Sequence, residues 1–542
     1  MAESVTATTP STQNENIGVK NSKEEPQRQT NIKIPAEPKK TVSLDFILQE
    51  IGEFGRFQWL LEFLFAIMLI QPVSQIFVIV FVTSDTHLRC RENSSVCRMN
   101  GTFSSKDEHH CKLARSEWEF VESKDHSFIT QFDIYCERKW VVQLASSIFF
   151  LGWAMGSILL GWAADRYGRK TVLFPSLLAC MVLSAISPFL PSLSVFVVVR
   201  FLIGMCIPGT SLQMFIIMSE VVGERHRLKS GLIIWFANAL AVCLIGVKAY
   251  FIRDWKILYL VCTAPYVVTL LFYKMVPESP QWLILKKRQS EALIIFKKIA
   301  KFNGKQLDDK FSIEEKKENG KTSKVRFMTA DILHKTAIQG FGWMVSGMLF
   351  FGLSLSVGQL GGSAHINFIL VSLVEIPALF IAIFLGEKIG RKRIVLIPLF
   401  IGGIACGLIS LFQHEICVFP AGSISITLGK IILALIGKLF VTITFDSFYT
   451  WSAELYPTEL RGKGMGLCQV SSLLGATISP WLVNGFKLLH VSSPFIVLCG
   501  FAVTSTIALT FLPETQNQIK KTLVIENLNT TGEKKKNIDE KV

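Results

Sequence analysis

The residues that can do chemistry here are the ionisable side chains inside long apolar stretches: Glu62, Lys248, Glu375, Lys430, Lys438 and Asp446. Charge is costly in such surroundings, so each is a functional candidate. Lys248 and Lys430 stand near the ends of their stretches and can snorkel to water. Glu62 stands near the start of the first stretch, where a structural role serves equally well. Glu375 adjoins Pro377, which removes one helix hydrogen bond nearby. Asp446 follows Lys438 by roughly 12 Å of helix rise, so the two pair only through water or bridging side chains. Trp343 and Phe350 lie two turns apart on one helix face, and Tyr449 comes just after Asp446. Carboxylates among aromatic faces suit an organic cation through ionic and cation–π attraction. Trp343, Phe350, Glu375, Lys438, Asp446 and Tyr449 therefore form the candidate substrate-binding set.

Other chemistries lack their residues. No nucleophile–base pair, metal-ligand spacing or phosphate loop is present, and His109-His110 has no fitting third ligand. The expectation is a non-enzyme with no catalytic residue, metal or cofactor.

The elements that must position these residues follow from composition. Half of the 542 residues are hydrophobic, only 18% are charged, and the mean hydropathy is +0.41. A soluble chain carries about 25% charged residues, so the balance points to a membrane protein. Apolar runs occur at about 59 to 83, 141 to 164, 171 to 190, 196 to 219, 230 to 252 and 257 to 276. Six more follow at about 337 to 357, 365 to 386, 394 to 412, 424 to 452, 465 to 486 and 494 to 512. Backbone groups in lipid must satisfy one another, so these runs are helices. The spacing predicts an all-α membrane protein of twelve spans.

Lys and Arg give an orientation. The turns 165–170, 220–229, 387–393 and 454–463 carry twelve, whereas the short turns on the other side carry Arg253, Lys256 and Lys487. Positive residues favour the cytoplasm, so both termini are expected inside. The first run begins near Trp59, too late for a cleavable leader. The net charge of +14 then reads as an orientation signal rather than a nucleic-acid surface.

The domain reading is a cytoplasmic tail at 1–58, a six-helix bundle at 59–276, a central cytoplasmic loop at 277–336, a second bundle at 337–513 and a tail at 514–542. Within the first bundle an outer loop, 84–140, holds Cys90, Cys97, Cys111 and Cys136. Four cysteines in an oxidising compartment form two disulfides with three possible pairings. Asn93 and Asn100 open glycosylation sequons in the same loop. In the central loop, residues 290–302 read either as a basic amphipathic helix on the membrane surface or as a helix packed under the bundle.

The two halves repeat. Asp165-Arg166-Tyr167-Gly168-Arg169-Lys170 is matched by Glu387-Lys388-Ile389-Gly390-Arg391-Lys392. Glu220 with Arg227 is matched by Glu454 with Arg461, and Pro277-Glu278-Ser279 by Pro513-Glu514-Thr515. Two repeats related by an axis along the membrane normal place a substrate between them near the midplane. Glycine permits the tight reversal and arginine offers a planar fork to carboxylates. Asp165, Gly168, Arg169, Glu220, Arg227, Glu387, Gly390, Arg391, Glu454 and Arg461 are therefore read as a conformational latch, its pairs forming when the inner ends of the halves meet.

From about Asp45 to Thr515 the sequence resembles solute carrier family 22, the organic ion transporters of the major facilitator superfamily. The resemblance rests on Glu53-Phe54-Gly55, the cysteine-rich loop, Phe132-Asp133 and Cys136, Asp165 to Lys170, Pro277 to Leu283, Glu454 to Thr458 and Pro513-Glu514-Thr515. It implies a plasma-membrane protein, monomeric or a weak homo-oligomer, that moves small organic ions by alternating access. Cation carriers of the family keep an acid in span eleven, where anion carriers have arginine; this chain has Leu473. Anion carriers place a lysine in span eight, where this chain has Leu379. A cation or zwitterion is expected, an organic anion or a non-transporting sensor on the same fold being the alternatives.

Overall fold

The computed structural model describes residues 40–83, 86–91, 94, 97, 102–104, 111–123, 126–307, 311–313, 329–413, 423–457, 460–485 and 493–516. Apolar helices dominate them. Spans 1 to 6 are Arg56–Val82, Trp140–Tyr167, Arg169–Ile186, Leu193–Val221, Arg227–Phe251 and Trp255–Lys274. Spans 7 to 12 are Ala330–Leu355, Ala364–Ile389, Arg391–Gln413, Ser423–Leu455, Arg461–Gly485 and Ser493–Leu509. Eleven are long and apolar enough to cross a bilayer. The twelfth has 17 residues, the lower limit of the roughly 17–25 that a span needs.

Local chemistry sets the helix ends. Ser192 caps span 4 by accepting from Val195 N–H, and Asp254 caps span 6 by accepting from the N–H groups of Lys256 and Ile257. Prolines interrupt two spans: span 6 restarts at Pro265, and span 8 divides into Ala364–Leu373 and Glu375–Ile389. Pro377 has no N–H to donate, which loosens span 8 at the carboxylate.

Close approach within each half depends on small residues. A Cβ on Gly152 of span 2 would collide with the Phe201 carbonyl of span 4, and one on Gly475 of span 11 with the Met344 carbonyl of span 7. Buried apolar side chains form one cluster chiefly from spans 1 to 6 and another from spans 7 to 12. The first cluster also takes in Phe351, Phe368, Leu473 and Ala476, where the second half meets it.

The chain between spans 1 and 2 defines one face of the protein, here the loop face. It carries an antiparallel sheet in which His87–Cys90 lies between Thr102–Ser104 and Trp118–Phe120. Of the three possible pairings the structure has Cys90–Cys97 and Cys111–Cys136, with Cα atoms 5.7 and 5.5 Å apart. Asn93 and Asn100 lie outside the described residues, as do 1–39 and 517–542 of the two tails.

The opposite, terminal face carries the helices Leu44–Ile51 and Gln289–Phe302. The second buries Ala292, Phe296, Ile299 and Ala300 and leaves Lys297, Lys298 and Lys301 in solvent. Of the two sequence alternatives it adopts packing under the bundle. Asn303 fixes it there, accepting from Phe57 N–H at 2.8 Å and donating to the Ile51 carbonyl at 2.9 Å.

Candidate functional site

Between the halves, near mid-span, lies a narrow cavity of ≈ 20 Å³. Span 5 supplies Trp235 and Asn238, span 7 Phe350, span 8 Glu375 and Leu379, and span 10 Phe445 and Asp446. Both halves therefore build the walls. The proline-loosened turn of span 8 presents Glu375, whose Oε1 is 2.8 Å from Lys438 Nζ. Lys438 also donates to Ser354 Oγ at 3.0 Å, and its ammonium stands 3.2 Å from the centroid of the Phe350 ring. Lys438 is fully buried and Glu375 is 6% exposed.

Asp446 is different. Its carboxylate faces the cavity, and no hydrogen bond or ion pair within the described residues reaches it. The pair Glu375–Lys438 satisfies its own charges, so Asp446 is the acidic side chain of the cavity left without a hydrogen bond or ion pair among the described residues. Phe350 stacks on Phe445 with centroids 4.8 Å apart, and Trp235 lies 5.6 Å from Tyr449. An uncompensated carboxylate among ring faces can hold an organic cation.

The sequence-derived set is thus divided into two layers. Phe350, Glu375 and Asp446 line the cavity, and Lys438 reaches the same carboxylate. Trp343 is fully buried behind them, donating its indole N–H to Ser452 Oγ at 2.8 Å and meeting Tyr449 edge-on at 4.7 Å. Its aromatic face backs the wall instead of lining it. Tyr449 donates to Gln469 at 2.8 Å, which turns its hydroxyl toward span 11. Trp235, Asn238 and Phe445 were not expected: each is a neutral residue in an apolar helix, and only the polarity of Asn238 hints at a cavity. Leu379 and Leu473 supply apolar surface, the first to the cavity and the second to the packing between halves.

Elsewhere in the spans, Glu62 accepts from Ser230, and its Oε2 is buried without a hydrogen-bond partner among the described residues. Arg200 in span 4 is a buried cation outside the sequence-derived set. Its guanidinium bonds the Gln75 carbonyl at 2.9 Å and Tyr259 at 3.2 Å, over the Phe149 ring.

In this structure the inner turns pair within each half. Arg169 pairs with Asp165 at 3.0 Å and with Glu220 at 3.7 Å, all in the first half. Arg391 pairs with Glu454 at 3.2 Å, both in the second. Each described pair of these turns therefore ties helices within a half. Arg227 and Arg461 are exposed without an ion pair among the described residues, because each begins the span after its acid and the reversing turn carries it away. Glu387 contributes its carbonyl, which accepts from Gln516. Gly168 and Gly390 adopt φ of 112° and 101°, and their missing Cβ atoms make room for the carboxylates of Glu278 and Glu514.

At the loop face the halves do meet. Phe81 stacks on His365 at 5.3 Å and meets Phe368 at 5.0 Å, Arg253 lies 3.3 Å from His365, and Trp140 stacks on Trp481. Ser147 donates to the Thr477 carbonyl at 2.6 Å. These contacts lie between the cavity and the loop face.

Two repeated helical halves around a mid-span cavity define a membrane transporter of the major facilitator class, not an enzyme. Comparison with known proteins agrees. Residues 96–523 match the family model described as sugar (and other) transporter. The chain is 32% identical to solute carrier family 22 member 3 of Mus musculus, covering 78% of this chain and 76% of that one. It is 31% identical to organic cation/carnitine transporter 2 of Homo sapiens, covering 73% and 71%. The fold is shared with the D-xylose–proton symporter at a TM-score of 0.57 and 15% identity, covering 84% of this chain and 97% of that one. The chain belongs to solute carrier family 22 within the major facilitator superfamily.

Proposed function

We propose that this protein carries small organic cations across the plasma membrane by alternating access, with the terminal face and both tails in the cytoplasm. The observation that carries the reading is Asp446, an unpaired carboxylate in an aromatic-walled cavity whose other acid is already neutralised. A cation finds two acidic side chains and ring faces there, whereas an anion finds one lysine already paired with Glu375. Relatives named for organic cations and for carnitine support the same class.

The architecture supplies the movement. Ion pairs inside each half keep it rigid, so the halves rock about the cavity as bodies. In this structure the aromatic seal of Phe81, His365 and Phe368 closes the loop-face side. Opening that seal while the inner ends approach exposes the same cavity to the other side.

A second reading is a zwitterion. Its cationic end would take Asp446 and the ring faces, and Lys438 is the charge available to its anionic end. Both readings are tested by uptake of labelled tetraethylammonium, a betaine and a benzoate into vesicles at two membrane potentials. Tetraethylammonium uptake should be saturable and rise when the inside is made negative. Uptake of the benzoate alone would reject both readings.

A further inference from the structure

We infer that Lys438 is a built-in surrogate for the substrate: its ammonium occupies the cationic seat of the cavity, and a transported cation must displace it. The inference rests on the cation reading above and goes one step further, assigning competition rather than support to this lysine.

Two contacts carry it. Lys438 Nζ sits 2.8 Å from the Glu375 carboxylate and 3.2 Å from the Phe350 ring centroid. An ammonium held between a carboxylate and an aromatic face is the recognition that an organic cation would use, and here the protein's own side chain uses it. The space left over is ≈ 20 Å³, room for about one water. No organic cation shares the cavity while Lys438 stays in place.

Exchange has a route. The lysine stem is long and flexible, and Ser354 Oγ and the Phe350 carbonyl, 3.0 and 3.5 Å from the ammonium, accept from it independently of Glu375. The unpaired Asp446 gives the incoming cation its first contact. The cation then takes Glu375 and the Phe350 face while Lys438 withdraws to its span 7 acceptors. A cation that replaces the ammonium at Glu375 keeps that carboxylate paired. Return of Lys438 to Glu375 expels the cation. The lysine therefore weakens binding and speeds release.

The test is tetraethylammonium binding and uptake by the full-length protein in lipid nanodiscs and vesicles. A seat vacated about a tenth of the time weakens apparent affinity about tenfold. Lys438→Met is thus expected to bind about tenfold more tightly, with a lower KM and a lower maximal rate. Lys438→Arg, which keeps the competing charge, should tighten binding less than Lys438→Met. Unchanged or weaker binding by a Lys438→Met protein that retains its unfolding midpoint overturns the inference. If that variant does not fold, Lys438→Met is placed on Glu375→Gln, which removes the orphaned carboxylate. Tighter binding than Glu375→Gln alone supports the inference, and equal or weaker binding overturns it. A wild-type protein that binds no tetraethylammonium refutes the cation reading and the inference with it. Binding that is lost in Asp446→Asn but not tightened in Lys438→Met sinks the inference alone.

Discussion

Glu514 Oε1 accepts the backbone N–H of Arg391 at 3.0 Å. The other carboxylate oxygen accepts from Lys392 N–H at 3.1 Å, so one acid at the end of span 12 caps the first turn of span 9. Glu278, ending span 6, does the same for span 3, accepting from the N–H groups of Arg169 and Lys170 at 2.8 and 3.1 Å. Negative charge at a helix N-terminus is favourable both as a hydrogen-bond acceptor and against the helix dipole. The Gly-Arg-Lys turn and the Pro-Glu-Ser/Thr turn are therefore two sides of one contact.

Removing such a cap should loosen its own half. Glu514→Ala and Glu278→Ala are each expected to cost about 1–2 kcal/mol, read as a lower unfolding midpoint in detergent. A double-mutant cycle locates the neighbouring pairs. Arg391→Ala with Glu454→Gln should show a coupling of about 1 kcal/mol, and Arg169→Ala with Glu454→Gln, from opposite halves, about zero. Coupling across the halves equal to that within them would support an inter-half latch.

Peptide mapping without reduction should recover Cys90 linked to Cys97 and Cys111 linked to Cys136. The second bridge spans 25 positions against 7 for the first. By loop-closure entropy, Cys111→Ser should destabilise the loop by about 1 kcal/mol more than Cys90→Ser. The reverse order would show that the larger loop is already held by its sheet.

Trp235 gives the first half a stake in recognition. Trp235→Ala should weaken tetraethylammonium binding about fivefold, the equivalent of ~1 kcal/mol of cation–π attraction, and Trp235→Phe by less. An affinity indifferent to both substitutions would place the site wholly in the second half.

Apolar runs and matched turns made the spans and their repeat legible, because lipid demands long helices and basic residues mark one side. Glu375, Lys438 and Asp446 were legible for the same reason: charge in an apolar run is conspicuous. What remained hidden was pairing. Nothing in the spacing of Cys90, Cys97, Cys111 and Cys136 selects one of the three pairings. Arg169 carries the right chemistry for an inter-half latch, yet in this structure its partners are Asp165 and Glu220 of its own half. The placement of Trp235 in the wall and Trp343 behind it depends on helix rotation, which neither residue's neighbours in sequence encode. Arg200 is one more cation in an apolar run, held by a carbonyl, a phenol and a ring that only packing brings to one of its guanidinium nitrogens and its face.

The central claim is that the unpaired carboxylate of Asp446 recognises a cation. Tetraethylammonium affinity of wild type and Asp446→Asn, measured in nanodiscs on proteins with matched unfolding midpoints, tests it most directly. Loss of a charge-assisted contact of about 2 kcal/mol predicts roughly thirtyfold weaker binding. Affinities equal within twofold would contradict the account.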